Sequence, residues 1–450
     1  MSLLLRLVHG GLVVAVLAGS ASVAAGSGEP EGRSRYIVVL AGGADPTAAA
    51  AKHQRKYAVD VEQRYSHALK GYTATVADSA VEELRSDPDV RFVAEDAVLA
   101  AAAPTPGGCP PACALPTGVN RIDGELSSTA SGNGAGAVDV DVAILDSGVD
   151  ASQAELNVAG GVNCIGDGLG TTVDPGKLPH GTFAGGIIGA KDDGAGIVGI
   201  APGARLWSMR VIEPKKGTGF ISWFICGIDW VTATRTDSNP SNDIEVANMS
   251  LGGPGADDGN CGDTNGDPLH LAICTSVAAG VHYVVSAGNE AADVATKRPA
   301  AYDEVLNVTS MTDFDGLPGG LAPRPKSQPT WTCGYGSDDG PSSFSNFASV
   351  PSDQAHTVAA PGDCIYSTGV GTEYLVRSGT SFAAPHVSGV VALCVAAGPC
   401  SGLNPAQVVA RIVGDAASYN NANPSYGFQG DPLRPIAGKY YGYLIRAAAY

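Results

Sequence analysis

Ser378-Gly379-Thr380-Ser381-Phe382-Ala383-Ala384-Pro385-His386-Val387 opens an apolar stretch that continues to Cys394. A helix of this composition has no polar stripe, so it is buried on every side. Proline is tolerated in a helix only in the first turn, which places Ser381 at the N-terminal end. Backbone N–H groups are unpaired there and can bind a developing oxyanion. A serine in that place is equally explained as a helix cap, so the reading turns on whether the chain supplies partners for its hydroxyl.

Three other segments do. Asp146 ends the apolar run Val140-Asp-Val-Ala-Ile-Leu145 and is followed by the turn Ser147-Gly148. His180 stands in Pro179-His-Gly-Thr182, with small residues running on as a tightly packing helix. Asn289 ends Val284-Val-Ser-Ala-Gly-Asn289, again just beyond a predicted strand. Singly these read as a turn aspartate, a surface histidine and a Gly-Asn turn. Together with Ser381 they supply an orienting carboxylate, a base, a nucleophile and an oxyanion donor.

Around these segments short apolar strands alternate with helical stretches, over residues 140–145, 205–212, 223–231, 244–249, 281–286 and 387–396. Such alternation argues an α/β fold, a mostly parallel central sheet with helices on both faces. The active residues then belong at the carboxyl ends of strands. Residues 35–100 form a separate piece without cysteine. It reads as strand 36–40, helix 47–57, strand 72–76, a helix opened by the capping pair Ser79 and Glu82, and strand 90–94. The pattern predicts a small α+β, ferredoxin-like domain. Residues 101–112 are an Ala/Pro-rich linker of the kind proteases cut. Residues 113–450 are the expected catalytic domain.

The formal net charge of −18 excludes the basic surface a nucleic-acid partner needs. Residues 1–25 have the layout of a signal peptide: Arg6, a short apolar run, then small residues with cleavage near Ala24 or Ala25. A secreted, extracellular monomer without stable membrane association is the expectation. All 10 cysteines follow residue 108, consistent with oxidation after export. Sequence neighbours pair Cys109 with Cys113, Cys261 with Cys274 and Cys394 with Cys400. Cys164, Cys226, Cys333 and Cys364 are left open, and no Cys-x-x-Cys pair supports a zinc site.

Asp146-Ser-Gly, His180-Gly-Thr, Ser286-Ala-Gly-Asn289 and the Ser378–Val387 stretch resemble the subtilisin-family serine proteases, over roughly residues 35–420. The order Asp, His, Ser is the one that family uses. By that resemblance Ser381 is the nucleophile, His180 the base and then acid, Asp146 its orienting partner and Asn289 the oxyanion donor. The fold implied is subtilisin-like, preceded by an inhibitor-like propeptide whose tail enters the cleft, with self-cleavage between about Leu99 and Thr105. Ser250, Leu251 and Gly252 resemble one substrate-pairing strand and Gly217, Gly219 and Ile221 the other. Leu251, Gly252 and Gly288 line the primary pocket, while Ile221 and Phe224 build a second, apolar one. A broad, mainly apolar preference follows, with polypeptide substrates and no organic cofactor.

The stretch from Lys191 to Pro202 resembles the family's calcium loop, which implies carbonyls of Lys191, Ala195 and Ile197 with Asp193 and Glu155 as ligands to Ca²⁺. An acidic insert, residues 254–269, contains Asp263-Thr-Asn265-Gly-Asp267, a weaker calcium candidate or a solvated disulfide loop. Phe183 stands where the family has a second histidine. The bond before Pro299 is left open between cis and trans. An esterase of the α/β-hydrolase type is excluded, because Ser381 lacks Gly-x-Ser-x-Gly and the order differs. The alternative from another class is a catalytically inactive peptide-binding scaffold.

Overall fold

A computed structural model describes residues 32–101, 115–166, 171–174, 176, 179–325, 333–396 and 398–450. The predicted leader, most of the linker, and Cys109 and Cys113 lie outside them.

Strand Asp141–Asp146 is buried along its whole length. Its alternate side chains serve two cores: Val142 and Ile144 face one, with Ala184, Ile188, Val387 and Val390. Ala143 and Leu145 face the other, with Ile225, Ile228 and Ile273. That period of two is what a strand covered on both faces requires. Helices His180–Gly189 and Thr380–Ala396 cover the first face, and Ile221–Thr236 and Pro268–Ala278 the second.

The sheet has nine strands. Across it lie Tyr443–Leu444, Thr357–Asp363, Leu306–Thr312, His282–Ser286, Val246–Met249, Asp141–Asp146, Arg205–Arg210 and Asn157–Asn163, all parallel, with Gly340–Pro341 as an antiparallel edge. Chain order reverses beside Asp141–Asp146, and such a switch point opens a crevice at the strands' carboxyl ends. Among the described residues, no helix is long and apolar enough to cross a membrane.

The N-terminal segment folds on its own core of Val38, Tyr72, Val76 and Leu84. Its four-stranded sheet is antiparallel where neighbours pair. Helix Pro46–Tyr57 is capped by Asp45, whose side chain accepts from Ala48 N–H. Strand Asp60–Tyr65 had no sequence signal, because this edge strand carries polar residues on its open face. The capping pair Ser79 and Glu82 is not formed. A 3₁₀ turn, Asp78–Ala80, runs straight into helix Val81–Arg85 and absorbs Ser79.

The reading of Pro385 also needs correction. Helix Thr380–Ala396 begins just before Ser381, but Pro385 lies inside it. A proline there cannot donate to the carbonyl four residues back, which is that of Ser381. The Ser250 hydroxyl donates to that carbonyl instead, at 2.7 Å.

Four disulfides are formed among the described residues: Cys164–Cys226, Cys261–Cys274, Cys333–Cys364 and Cys394–Cys400. The Arg298–Pro299 bond is cis.

Candidate active site

Asp146 closes its strand and His180 opens a helix, so both side chains reach the crevice from rigid elements. Gly181 permits the approach: a Cβ there would sit 2.3 Å from the Gly148 carbonyl oxygen. His180 Nδ1 donates to Asp146, 2.8 Å from Oδ2 and 3.0 Å from Oδ1. Ser147 N–H donates to the same carboxylate at 2.6 Å. With Nδ1 committed to Asp146, Nε2 is the ring nitrogen left over, and it is buried without a hydrogen-bond partner. The ring packs on Phe382, with centroids 5.1 Å apart.

The Ser381 hydroxyl donates to the Ser250 carbonyl at 3.1 Å. It is therefore parked on the substrate-side strand rather than on the base, and such bonds commonly tighten only with substrate present. Asn289 is fixed from its oxygen side, where Oδ1 accepts Thr380 N–H at 2.8 Å and the Thr380 hydroxyl at 3.1 Å. Its amide N–H₂ is thereby turned away from Thr380, free to donate. Asn346 braces the same turn, accepting from Glu290 N–H and Ala292 N–H and donating to the Ala287 carbonyl. Gly288 is needed there: its φ is +101°, and a Cβ would meet Asn346 Nδ2 at 2.3 Å.

Strand Val98–Ala101 lies between the two predicted pairing segments. It pairs antiparallel with Leu251–Pro254 through Leu251↔Ala101 and Gly252↔Ala100. On its other side it pairs with Thr218–Phe220 through Leu99↔Gly219, and Ala101 N–H donates to the Gly217 carbonyl. Leu99 is buried in the core cluster that holds Ile221 and Phe224. The cavity at the predicted primary pocket, about 210 Å³, is lined by Leu251, Gly252 and Gly288, by Arg298, whose segment resembles the family's near its pocket, and by two residues the sequence had not singled out, Glu290 and Lys297. Lys297 pairs with Glu290 at 3.3 Å, and Arg298 with Asp267 at 3.1 Å. Its lining thus carries charge, each cation neutralised by a carboxylate.

A second buried carboxylate, Asp174, stands beside the Asp146–His180 pair. The hydroxyls of Ser147 and Thr182 donate to its Oδ2 at 3.3 and 3.1 Å. Burial, helped by the charge of Asp146 and opposed by its hydrogen bonds, pushes its carboxyl up to about 7. Arg377 faces it and is itself held down to about 10 by burial. Nothing in the local sequence marks Asp174.

Glu155 Oε1 accepts the Tyr374 hydroxyl at 2.8 Å, while Oε2 is buried without a partner. Burial and the charge of Asp193 raise its carboxyl. Lys191 N–H donates to the Glu155 carbonyl, and Asp193 Oδ1 accepts Ala195 N–H at 3.1 Å. A buried, half-satisfied carboxylate repelled by a second one fits a hard cation between them. In the acidic insert, by contrast, Asp258 is occupied by the N–H groups of Asn260, Gly262, Thr264 and Asn265. Asp267 caps helix Pro268–Ala278 and accepts the Tyr302 hydroxyl. Asp263 pairs with Arg91 of the N-terminal segment.

Residues 138–428 match the subtilase family and residues 35–102 the peptidase inhibitor I9 family. The chain therefore belongs to the subtilase family, and it is a serine-type endopeptidase with an I9 propeptide. It is 29% identical over 365 residues to subtilisin NAT of Bacillus subtilis subsp. natto, covering 80% of this chain and 79% of that one. It is 30% identical over 316 residues to subtilisin of Bacillus pumilus, 70% and 95% covered. Minor extracellular protease Epr of Bacillus subtilis (strain 168) is 30% identical over 344 residues, 74% and 44% covered.

Proposed function

We propose that the protein is a secreted endopeptidase, made as a self-processing zymogen, in which Ser381 carries the acyl group. Ser381 Oγ attacks the peptide carbonyl and gives its proton to His180 Nε2, with Asp146 stabilising the imidazolium. The oxyanion accepts the Ser381 backbone N–H, unpaired at the start of its helix, and the Asn289 amide. Collapse of this intermediate expels the amine, which takes the proton from His180. Water then repeats the sequence on the acyl-enzyme.

The observation that carries this reading is the strand Val98–Ala101, laid antiparallel between both edges of the cleft as an extended peptide would lie. It also supports inhibition by the N-terminal segment until that segment is cut. A broad, apolar preference is inferred from Leu99, buried beside Ile221 and Phe224. The leader-like residues 1–25, the disulfides and an extracellular relative support secretion. Glu155 and Asp193, with carbonyls of Lys191, Ala195 and Ile197, would hold a structural Ca²⁺.

Ser381→Ala in the full-length chain is expected to retain residues 32–101, whereas the parent sheds them. A fluorophosphonate is expected to label Ser381 of the mature protein. Maturation of the variant at the normal bond, or label elsewhere, would refute the assignment.

A further inference from the structure

His356, Asp353 and Asp303 lie at the opposite edge of the sheet from the triad. Asp353 is in helix Pro351–Ala355, His356 follows it at the entry to strand Thr357–Asp363, and Asp303 precedes strand Leu306–Thr312. Their ligand atoms all fall within 4.8 Å of one another. His356 and Asp303 line a cavity of about 410 Å³ walled also by Val277, Glu304, Ala406 and Val409.

The hydrogen bonding leaves two of these groups unsatisfied. His356 Nδ1 donates to the Val305 carbonyl at 3.0 Å, which fixes the tautomer and leaves a lone pair on Nε2. Nε2 is buried without a hydrogen-bond partner, and so is Asp353 Oδ2. The residues themselves are only 3% and 4% exposed. Nε2 faces Asp303 Oδ1 at 3.8 Å, too far for a shared proton.

The charges around them are mostly negative, with the His270 imidazole acting on Asp303. Asp257 and Glu304 act on His356, and Asp293, Asp303 and Asp257 on Asp353. Among the described residues no Lys or Arg pairs with Asp303 or Asp353. Two ligands each about 2.0–2.1 Å from a tetrahedral zinc are about 3.4 Å apart. A shift of a few tenths of an ångström in the exposed Asp303 side chain closes the difference for the His356–Asp303 pair.

We infer that His356, Asp353 and Asp303 bind one zinc-class divalent cation, with its fourth position open to water in the cavity. One imidazole and two carboxylates suit zinc better than calcium, which takes six to eight oxygens. The ion ties the entries of two adjacent strands to the short helix. Its role is structural, because the triad sits at the strands' other ends.

The test is calorimetric titration of Zn²⁺ into the full-length chain, kept intact by Ser381→Ala, with excess Ca²⁺ to fill oxygen-only sites. One Zn²⁺ per chain is expected. Binding should weaken about tenfold or more in His356→Gln, Asp353→Asn and Asp303→Asn, and stay unchanged in Asp193→Ala and in the surface variant His67→Gln. Asp303→Asn alters an exposed side chain, so it decides the matter if the buried variants fail to fold. No Zn²⁺ binding, or equal binding by Asp303→Asn, overturns the site.

Discussion

Asp229, on helix Ile221–Thr236, accepts three consecutive backbone N–H groups of the N-terminal segment. Ser66 donates at 3.1 Å, His67 at 2.6 Å and Ala68 at 2.7 Å. At the helix's N-terminal end Asp96 of that segment accepts Ser222 N–H at 2.9 Å and its hydroxyl at 2.6 Å. Two carboxylates, one from each side, thus clamp the propeptide along a single helix. Hydrogen bonds to a charged acceptor contribute about 1.5–3 kcal/mol each. Asp229→Asn leaves a carbonyl where Oδ1 accepts all three N–H groups, but removes the charge from each bond and replaces Oδ2, which accepts Ser66 at 3.2 Å, by an N–H₂. The expected loss is about 3 kcal/mol, or about 150-fold in affinity. The assay is inhibition of the mature enzyme by residues 33–101 supplied separately, with kcat/KM on a short peptide measured alongside. The inhibition constant should rise by that factor while kcat/KM holds, since none of Asp229's hydrogen bonds reaches the triad. Asp96→Asn in the inhibitor should add independently, because the two clamps share no partner. A rise below about threefold, or a parallel fall in kcat/KM, would refute the clamp.

Asn289→Ala should lower kcat by about 10²–10³ with little change in KM; that range is a value for subtilisins themselves, not one worked from these distances. An unchanged kcat would remove Asn289 from the oxyanion site. For Asp174, whose folded carboxyl titrates near 7 against about 3.9 unfolded, the native state holds the extra proton between those values. Its contribution to stability therefore falls as pH rises from about 4 to 7, so Asp174→Asn should gain in Tm relative to wild type across that window. Parallel Tm curves from pH 5 to 8 would rule this out. Chelating Ca²⁺ should lower the Tm of wild type more than that of Asp193→Ala, the site contributing about 4 kcal/mol at a thousandfold excess over Kd; equal losses would count against Glu155 and Asp193 as ligands.

The fold class and the segments of the candidate triad were legible because each signal is local. Asp146 ends a strand, His180 begins a helix and Asn289 follows a strand by three residues, each with its turn residues beside it in sequence, and the apolar run after Ser381 declares a buried helix. Strand Asp60–Tyr65 was not legible, since an edge strand buries too little to show an apolar period. The position of Pro385 was misread because propensity knows only the helix. Ser250, far away in sequence, takes over the carbonyl that the proline leaves unpaired.

The sequence by itself determined that strands and helices alternate and that an inhibitor-like piece precedes them, and it named the residues proposed to carry the chemistry. Only the tertiary structure decided which distant side chains share a dielectric and a partner. Asp174 becomes a weak acid because folding buries it beside Asp146, and Lys297 lines the primary pocket because Glu290 neutralises it there. Cys164 joins Cys226, and His356 meets Asp303, by chain closure over spans that no local spacing encodes. Secondary structure follows from neighbours a few bonds apart; pairing, burial and pKa follow from neighbours in space, which exist only once the chain has closed on itself.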